Sequence, residues 1–171
     1  MADIPLLTQT HDGDPDGPLR RLTEETFGLI YWANTVIGHA LSLSHDAIDP
    51  SWVTTLQQHL FVAGHDVNHG TCVVTAEDVS WIRKARLRWA ASLPPQNGFI
   101  LPGGSPAASR WQEVAAILMQ ARRLFAELAR LTPVNVRVAE LLDEGSYACF
   151  VAGRMINQRA GCQEVAVRTR D

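Results

Sequence analysis

Gln96-Asn97-Gly98-Phe99-Ile100-Leu101-Pro102-Gly103-Gly104-Ser105 interrupts a chain whose apolar residues otherwise recur at three- and four-residue spacing. It cannot be helix: three glycines and a proline fall within seven residues, and glycine and proline are the poorest helix formers. It therefore divides a helical chain, and two readings of it are open. The paired glycines before Ser105-Pro106 would let backbone N–H groups and the positive end of the next helix approach an anion or a flat ligand. Alternatively, the stretch is a sharp connection, with Phe99 and Leu101 plugging the end of the bundle.

Working outward, helix signals flank it on both sides. A first helix is expected from about residue 18 to 44, with Leu22, Phe27, Ile30, Ala33, Ile37 and Leu41 on its core stripe. A second follows the N-cap Asp49 and Pro50, carries Leu56, Leu60, Phe61 and Val67 inward, and stops at Gly70. Thr75-Ala76-Glu77-Asp78 is a capping box for a third, to about Ser92. Ser105-Pro106 starts a long fourth helix to about Leu131, and Thr132-Pro133 a fifth to about Arg159. No strand is expected. Long amphipathic helices with short connections predict an all-α, five-helix up-and-down bundle over 18–159. A flexible segment over 1–17 and a polar tail over 160–171 are expected to be poorly ordered.

Composition limits the function. The chain has 171 residues, enough for one domain with a sizeable core. Its formal net charge is -3 with dispersed basic residues, which gives no footprint for nucleic acid. No apolar run approaches the ~20 residues of a membrane span, and no leader pattern opens the sequence. A soluble, cytoplasmic protein is expected. The three cysteines, Cys72, Cys149 and Cys162, have no paired spacing and fit reduced thiols.

The string Phe99 to Ser105, FILPGGS, followed by Ala107-Ala108-Ser109, resembles the signature loop of the PduO-type ATP:cob(I)alamin adenosyltransferases. Other segments agree. Leu56-Gln57-Gln58-His59-Leu60-Phe61-Val62-Ala63-Gly64 is similar to the family's second-helix pattern, and Gly28, Asn34 and Gly38 fit its first helix. FVAGRMIN, Phe150 to Asn157, is similar to the end of its last helix. The resemblance spans about 18–158. It implies a homotrimer with ATP and corrinoid meeting between subunits, and transfer of the 5'-deoxyadenosyl group of ATP to reduced cobalt. It also implies that Phe99 packs on the lower face of the corrin, with Ile100, Leu101, Gly103 and Gly104 beside it; the aromatics Tyr31 and Trp32, which depart from the family pattern, are added to this set on their composition alone. Only in an active enzyme would Arg123, Arg154 and Asn157 contact Mg-ATP.

Several family positions are changed. The Thr-rich phosphate loop has only Thr8-Gln9-Thr10-His11-Asp12-Gly13-Asp14-Pro15, whose aspartates repel phosphate. The same aspartates resemble the start of a calcium loop, but the closing position holds Thr23, so an acidic tail is the better reading. The family's Asp-Glu-Leu-Asn run is Tyr31-Trp32-Ala33-Asn34, and the arginine paired across the interface with its aspartate is Ala115. Loss of both partners suits an interface repacked with apolar groups. The Arg-Arg-Ala-Glu-Arg run is Met119-Gln120-Ala121-Arg122-Arg123, and the Asn-Arg-Leu-Ser-Asp run is Asp143-Glu144-Gly145-Ser146-Tyr147. Each lost charge-stabilising group typically costs about 3–4 kcal/mol of catalysis.

The leading expectation is a corrinoid-binding protein of this fold with weak or no transferase activity. The alternatives are an active divergent adenosyltransferase, and an oligomeric scaffold or regulatory protein whose cleft is filled by its own aromatics. Tyr31, Trp32, Trp52, Trp81, Trp89 and Trp111 would serve as core or subunit contacts, or line a cavity for a planar tetrapyrrole-type ligand. His65 and His69, four apart, with Cys72 just beyond, offer an incomplete metal site. The plainer reading is two histidines at the negative end of a helix. His39, His45 and His59 have no partner at diagnostic spacing, while Glu24, Glu25 and Asp78 are read as solvated faces and helix-start charges.

Overall fold

The computed structural model of the chain describes residues 17–44, 47–96 and 98–167. The segment 1–16 with its threonines and aspartates, His45, Asn97 and the last four residues lie outside them.

Five helices follow in order: α1 (Gly17–Ser44), α2 (Pro50–His69), α3 (Ala76–Ala90), α4 (Pro106–Leu128) and α5 (Val136–Arg159). They run alternately up and down. Asn34 faces Gln57 and Phe27 faces Gly64, so α2 descends beside the rising α1. Ser146 Oγ donates to Ala115 O and Gly153 faces Ala108, so α4 is antiparallel to α5. α1, α4 and α5 form the centre, with α2 packed on α1 and α3 on α5.

Local chemistry explains most boundaries. Asp49 Oδ1 accepts from Ser51 N at 2.9 Å, and Pro50 needs no partner for an N–H it lacks. Gly70 ends α2, its N–H donating to Asp66 O. Thr75 and Asp78 satisfy each other's backbone N–H groups, the reciprocal pair expected of a capping box. Ser105 Oγ caps α4 by accepting from Ala108 N.

Three expectations change. α5 starts at Val136 rather than Thr132-Pro133, because Asn135 is its cap: Oδ1 accepts from Arg137 N, and Nδ2 donates to Asp66 and to Val74 O. Phe61, expected inside, is exposed and meets Tyr31 edge-to-face at 6.2 Å; it follows Leu60 by one residue, about 100° round the helix, so only Leu60 enters the core. The polar tail is not featureless either, since Ala166 pairs antiparallel with Ile100 in an isolated bridge.

Trp111 is fully buried at the upper end and donates its indole N–H to Ser44 Oγ at 2.9 Å. Trp52 stacks on Trp81 at 5.4 Å and meets Trp89 edge-on at 4.5 Å, which closes the seam between α2 and α3. At Gly153 an added Cβ would come within 3.1 Å of Ala108 O, so the missing side chain lets α4 approach α5 closely.

Two buried carboxylates join distant elements. Asp66 at the lower end accepts from Thr71, Val73 N, Val74 N and Asn135. Burial alone would raise its pKa, but these hydrogen bonds outweigh it and hold the carboxyl below its usual range. Glu144 on α5 receives Arg83 and Arg86 of α3, each at 2.7 Å, and they hold its pKa down against burial. Arg86 also lies 5.8 Å from the centre of the exposed Tyr147 ring. No helix among the described residues is long and apolar enough to cross a membrane.

Candidate functional site

The Phe99 loop sits at the upper end, where α1, α3 and α5 finish and α4 begins. Phe99 is 83% exposed and Leu101 is exposed, so neither plugs the bundle; Ile100 is half-buried. A connection serving only packing would turn its largest apolar side chain inward, since burying it gains roughly 1.5–3 kcal/mol.

The loop is nevertheless fixed. Asn157, 4% exposed on the last turns of α5, donates Nδ2 to Gly103 O at 2.8 Å and accepts from Ser105 N at 2.9 Å through Oδ1. Gln112 of α4 accepts from Gly103 N at 2.6 Å. Gly104, at φ 100, lies against the Asn157 carboxamide, where a Cβ would collide with it. The expectation that these N–H groups would cradle an anion is therefore corrected: those of Gly103 and Ser105 are already used by Gln112 and Asn157. Exposed apolar surface remains, and it suits a flat ligand better than a phosphate.

Arg154, too, has partners within the chain. Its side chain is 7% exposed, with Nε 2.6 Å from Glu164 Oε1, and its Nη2 donates to Glu164 Oε2 and to Pro94 O, each at 3.0 Å. Its charge is neutralised within the chain, and Asn157 is a loop anchor. Arg123 is exposed and makes no ion pair among the described residues, but it stands elsewhere. From the Trp111–Ser44 contact, Arg123 is twelve residues along α4 and Trp32 twelve back along α1, both about 18 Å below the upper end. Tyr31 and Trp32, both exposed, thus share a level with Arg123, and one chain does not bring them to Phe99.

The histidine pair is further off, at the lower end of α2. His65 and His69 rings stand 4.5 Å apart, His65 Nδ1 is 3.0 Å from Thr71 Oγ1, and Cys72 is exposed. Among the described residues no three His, Cys, Asp or Glu side chains are placed to hold a metal ion. His59 does have a partner: its Nδ1 lies 3.3 Å from Asp78 Oδ1, which makes Asp78 more than a solvated charge.

Beside the loop, a cavity of about 630 Å³ is lined by Leu43, Ala47, Ser105, Pro106, Ile156 and Arg159 among others, and does not include Phe99. Gln112 and Glu164 were not singled out in the sequence. Gln112 carried a faint signal, a polar residue among the inward positions of α4; Glu164 lies in a tail without periodicity and carried none.

Known proteins resemble this chain in architecture and, more distantly, in sequence. Two structures of a PduO-type ATP:corrinoid adenosyltransferase from Lactobacillus reuteri superpose well. A phenylalanine-to-alanine variant complexed with cobalamin and ATP gives a TM-score of 0.78 at 22% identity, over 86% of this chain and 87% of that one. An arginine-to-lysine variant complexed with ATP gives 0.79 at 24% identity, over 86% and 87%. In sequence, the corrinoid adenosyltransferase of Bacillus subtilis is 29% identical over 176 aligned positions, covering 94% of this chain and 90% of the relative. A cobalamin adenosyltransferase of Cupriavidus metallidurans is 28% identical over 111 positions, 64% of this chain and 60% of that protein. The sequence model of one family extends over residues 20–156, from the first turns of α1 almost to the loop anchor Asn157, and by that match the chain belongs to the cobalamin adenosyltransferase family.

Proposed function

We propose that this protein binds a corrinoid at the Phe99 end of its bundle and has weak or no adenosyltransferase activity. The observation that carries the reading is the contrast within one site. Phe99 is offered to solvent from a loop pinned by Asn157 and Gln112, while the buried cation beside that loop, Arg154, is neutralised by Glu164. The first half fits a planar apolar ligand, whose pockets are mostly apolar with few polar groups. The second does not fit a triphosphate, which needs free cations or N–H donors.

In this reading Phe99, Ile100, Leu101, Gly103 and Gly104 form the corrinoid side of the site. Phe99 covers one face of the ring system and keeps water and competing ligands from it. A homotrimer would place the exposed Tyr31, Trp32 and Phe61 against a neighbouring copy, whose own residues would complete the cleft. Sedimentation equilibrium at three times the chain mass is the expected result.

The test is anaerobic titration with cob(II)alamin, with and without Mg-ATP, followed by the spectral change to base-off four-coordinate cobalt. A shift without nucleotide, lost in Phe99→Ala, is expected. If neither condition gives a shift, the corrinoid reading fails and a non-catalytic scaffold replaces it. The second reading, an active enzyme, is favoured by the near-full-length similarity to the Bacillus subtilis corrinoid adenosyltransferase and by the exposed Arg123, which makes no ion pair among the described residues. A shift that requires Mg-ATP, with adenosylcobalamin formed over many turnovers, would establish it.

A further inference from the structure

Past α5 the chain leaves the bundle and comes back to it. Cys162 N donates to Asn157 O at 2.9 Å as the backbone turns. Residues 165–167 then run antiparallel to 99–101: Leu101 N donates to Val165 O and Val167 N to Phe99 O, both at 2.8 Å. Just before this strap, Glu164 sits on Arg154 through two charge-assisted hydrogen bonds.

Val165, Ala166 and Val167 are all exposed, and none of them enters the core, so the strap has little apolar anchorage on the bundle. Two exposed backbone hydrogen bonds cannot hold a short pair of strands in water, where even an isolated hairpin is marginal. The Glu164–Arg154 pair is different. Arg154 is nearly buried, so its attraction for the carboxylate is little screened and its geometry is bidentate. Among the described residues this ion pair is the strap's one shielded fastening.

We propose that Glu164 is a positioning residue for Phe99: by clamping Arg154 it holds residues 165–167 against 99–101 and so fixes the backbone that presents the phenylalanine. The strap would thereby pre-order the loop, and a site ordered in advance loses less freedom when it binds. The effect on ligand rests on the corrinoid reading above, while the clamping of the loop does not.

Amide hydrogen exchange on the full-length protein, compared between wild type and Glu164→Gln, tests this. The substitution keeps the side-chain size, removes the charge and lies outside the helices. The amides of Leu101 and Val167 should exchange about tenfold faster, as for loss of one charge-assisted contact, while helix-interior amides such as Ile156 keep their rates. A chain ending at residue 163 should show the same change at Leu101. Cob(II)alamin affinity, read by the same spectral titration, should fall about three- to tenfold in both variants. Unchanged exchange at Leu101 overturns the proposal whatever cobalamin does. Faster exchange with undiminished affinity in the variant overturns the positioning of Phe99. Faster exchange in a protein whose wild type gives no cobalamin shift upholds the clamp and removes the corrinoid reading alone.

Discussion

Asn157→Ala should destabilise the protein far more than its place near the end of the last helix suggests. The substitution removes two hydrogen bonds, to Gly103 O and from Ser105 N, at a residue only 4% exposed. Gly103 and Ser105 are half-buried, so water replaces part of what is lost, and each bond is then worth about 1 kcal/mol. Freeing Ser105 also loosens the cap it gives Ala108 N, worth about another 1 kcal/mol. The sum is about 3 kcal/mol, or about 6–12 °C in melting temperature for a chain of this size. Urea unfolding followed by circular dichroism reads it directly. Gln158→Ala, one residue on and exposed, should stay within about 0.5 kcal/mol of wild type. Gly104→Ala tests the same anchor from the loop side, because its Cβ would enter the Asn157 carboxamide and its φ of 100 suits glycine. The two substitutions should therefore cost less together than the sum of their separate effects. A cost for Asn157→Ala no larger than that of Gln158→Ala would refute the account of Asn157 as the loop's anchor.

Acid stability should depend on Asp66. Its folded pKa is held below the unfolded value of 3.8, so its contribution is fully present above about pH 4 and is lost as pH falls through the folded value. Asp66→Asn should lower stability at neutral pH and flatten the acid limb of the stability curve; an unchanged acid limb in pH-dependent urea titrations would count against it. The thiols should differ sharply: Cys72 is exposed and Cys162 partly so, while burial pushes the Cys149 thiol well above its usual range. A colorimetric thiol reagent should modify Cys72 and Cys162 in the native protein and Cys149 only on unfolding, and early modification of Cys149 would show that α5 is not packed as described.

Helix starts were legible where the signal is local. Asp49, the Thr75–Asp78 box and Ser105 act on N–H groups two or three residues away, so the sequence alone contains both partners. The start of α5 was misplaced because Asn135 is chosen by Asp66, a residue that only tertiary folding brings to it. Phe61 fails for another reason: with Leu60 beside it, the apolar pattern does not decide which faces inward. At the site, the resemblance pointed to Phe99, Arg154 and Asn157, and the structure gathers all three at one end. Their roles were not legible, since Asn157 bonds loop backbone and Arg154 bonds a glutamate in the tail. Tyr31 and Trp32 were grouped with Phe99 on composition, while helix rise separates them from it by about 18 Å within a chain.

Phe99 in water represents an unspent driving force. Covering it removes apolar surface worth roughly 1.5–3 kcal/mol, a factor of about ten to more than a hundred in affinity for whatever covers it. Because its backbone is already pinned, little of that is returned as ordering cost. The same term acts on the protein alone: in concentrated solution without a ligand, the upper ends of two molecules should be drawn together, and a ligand seated on Phe99 should disperse them. Light scattering with and without bound corrinoid would then report on the phenylalanine through solubility, with no spectral signal required.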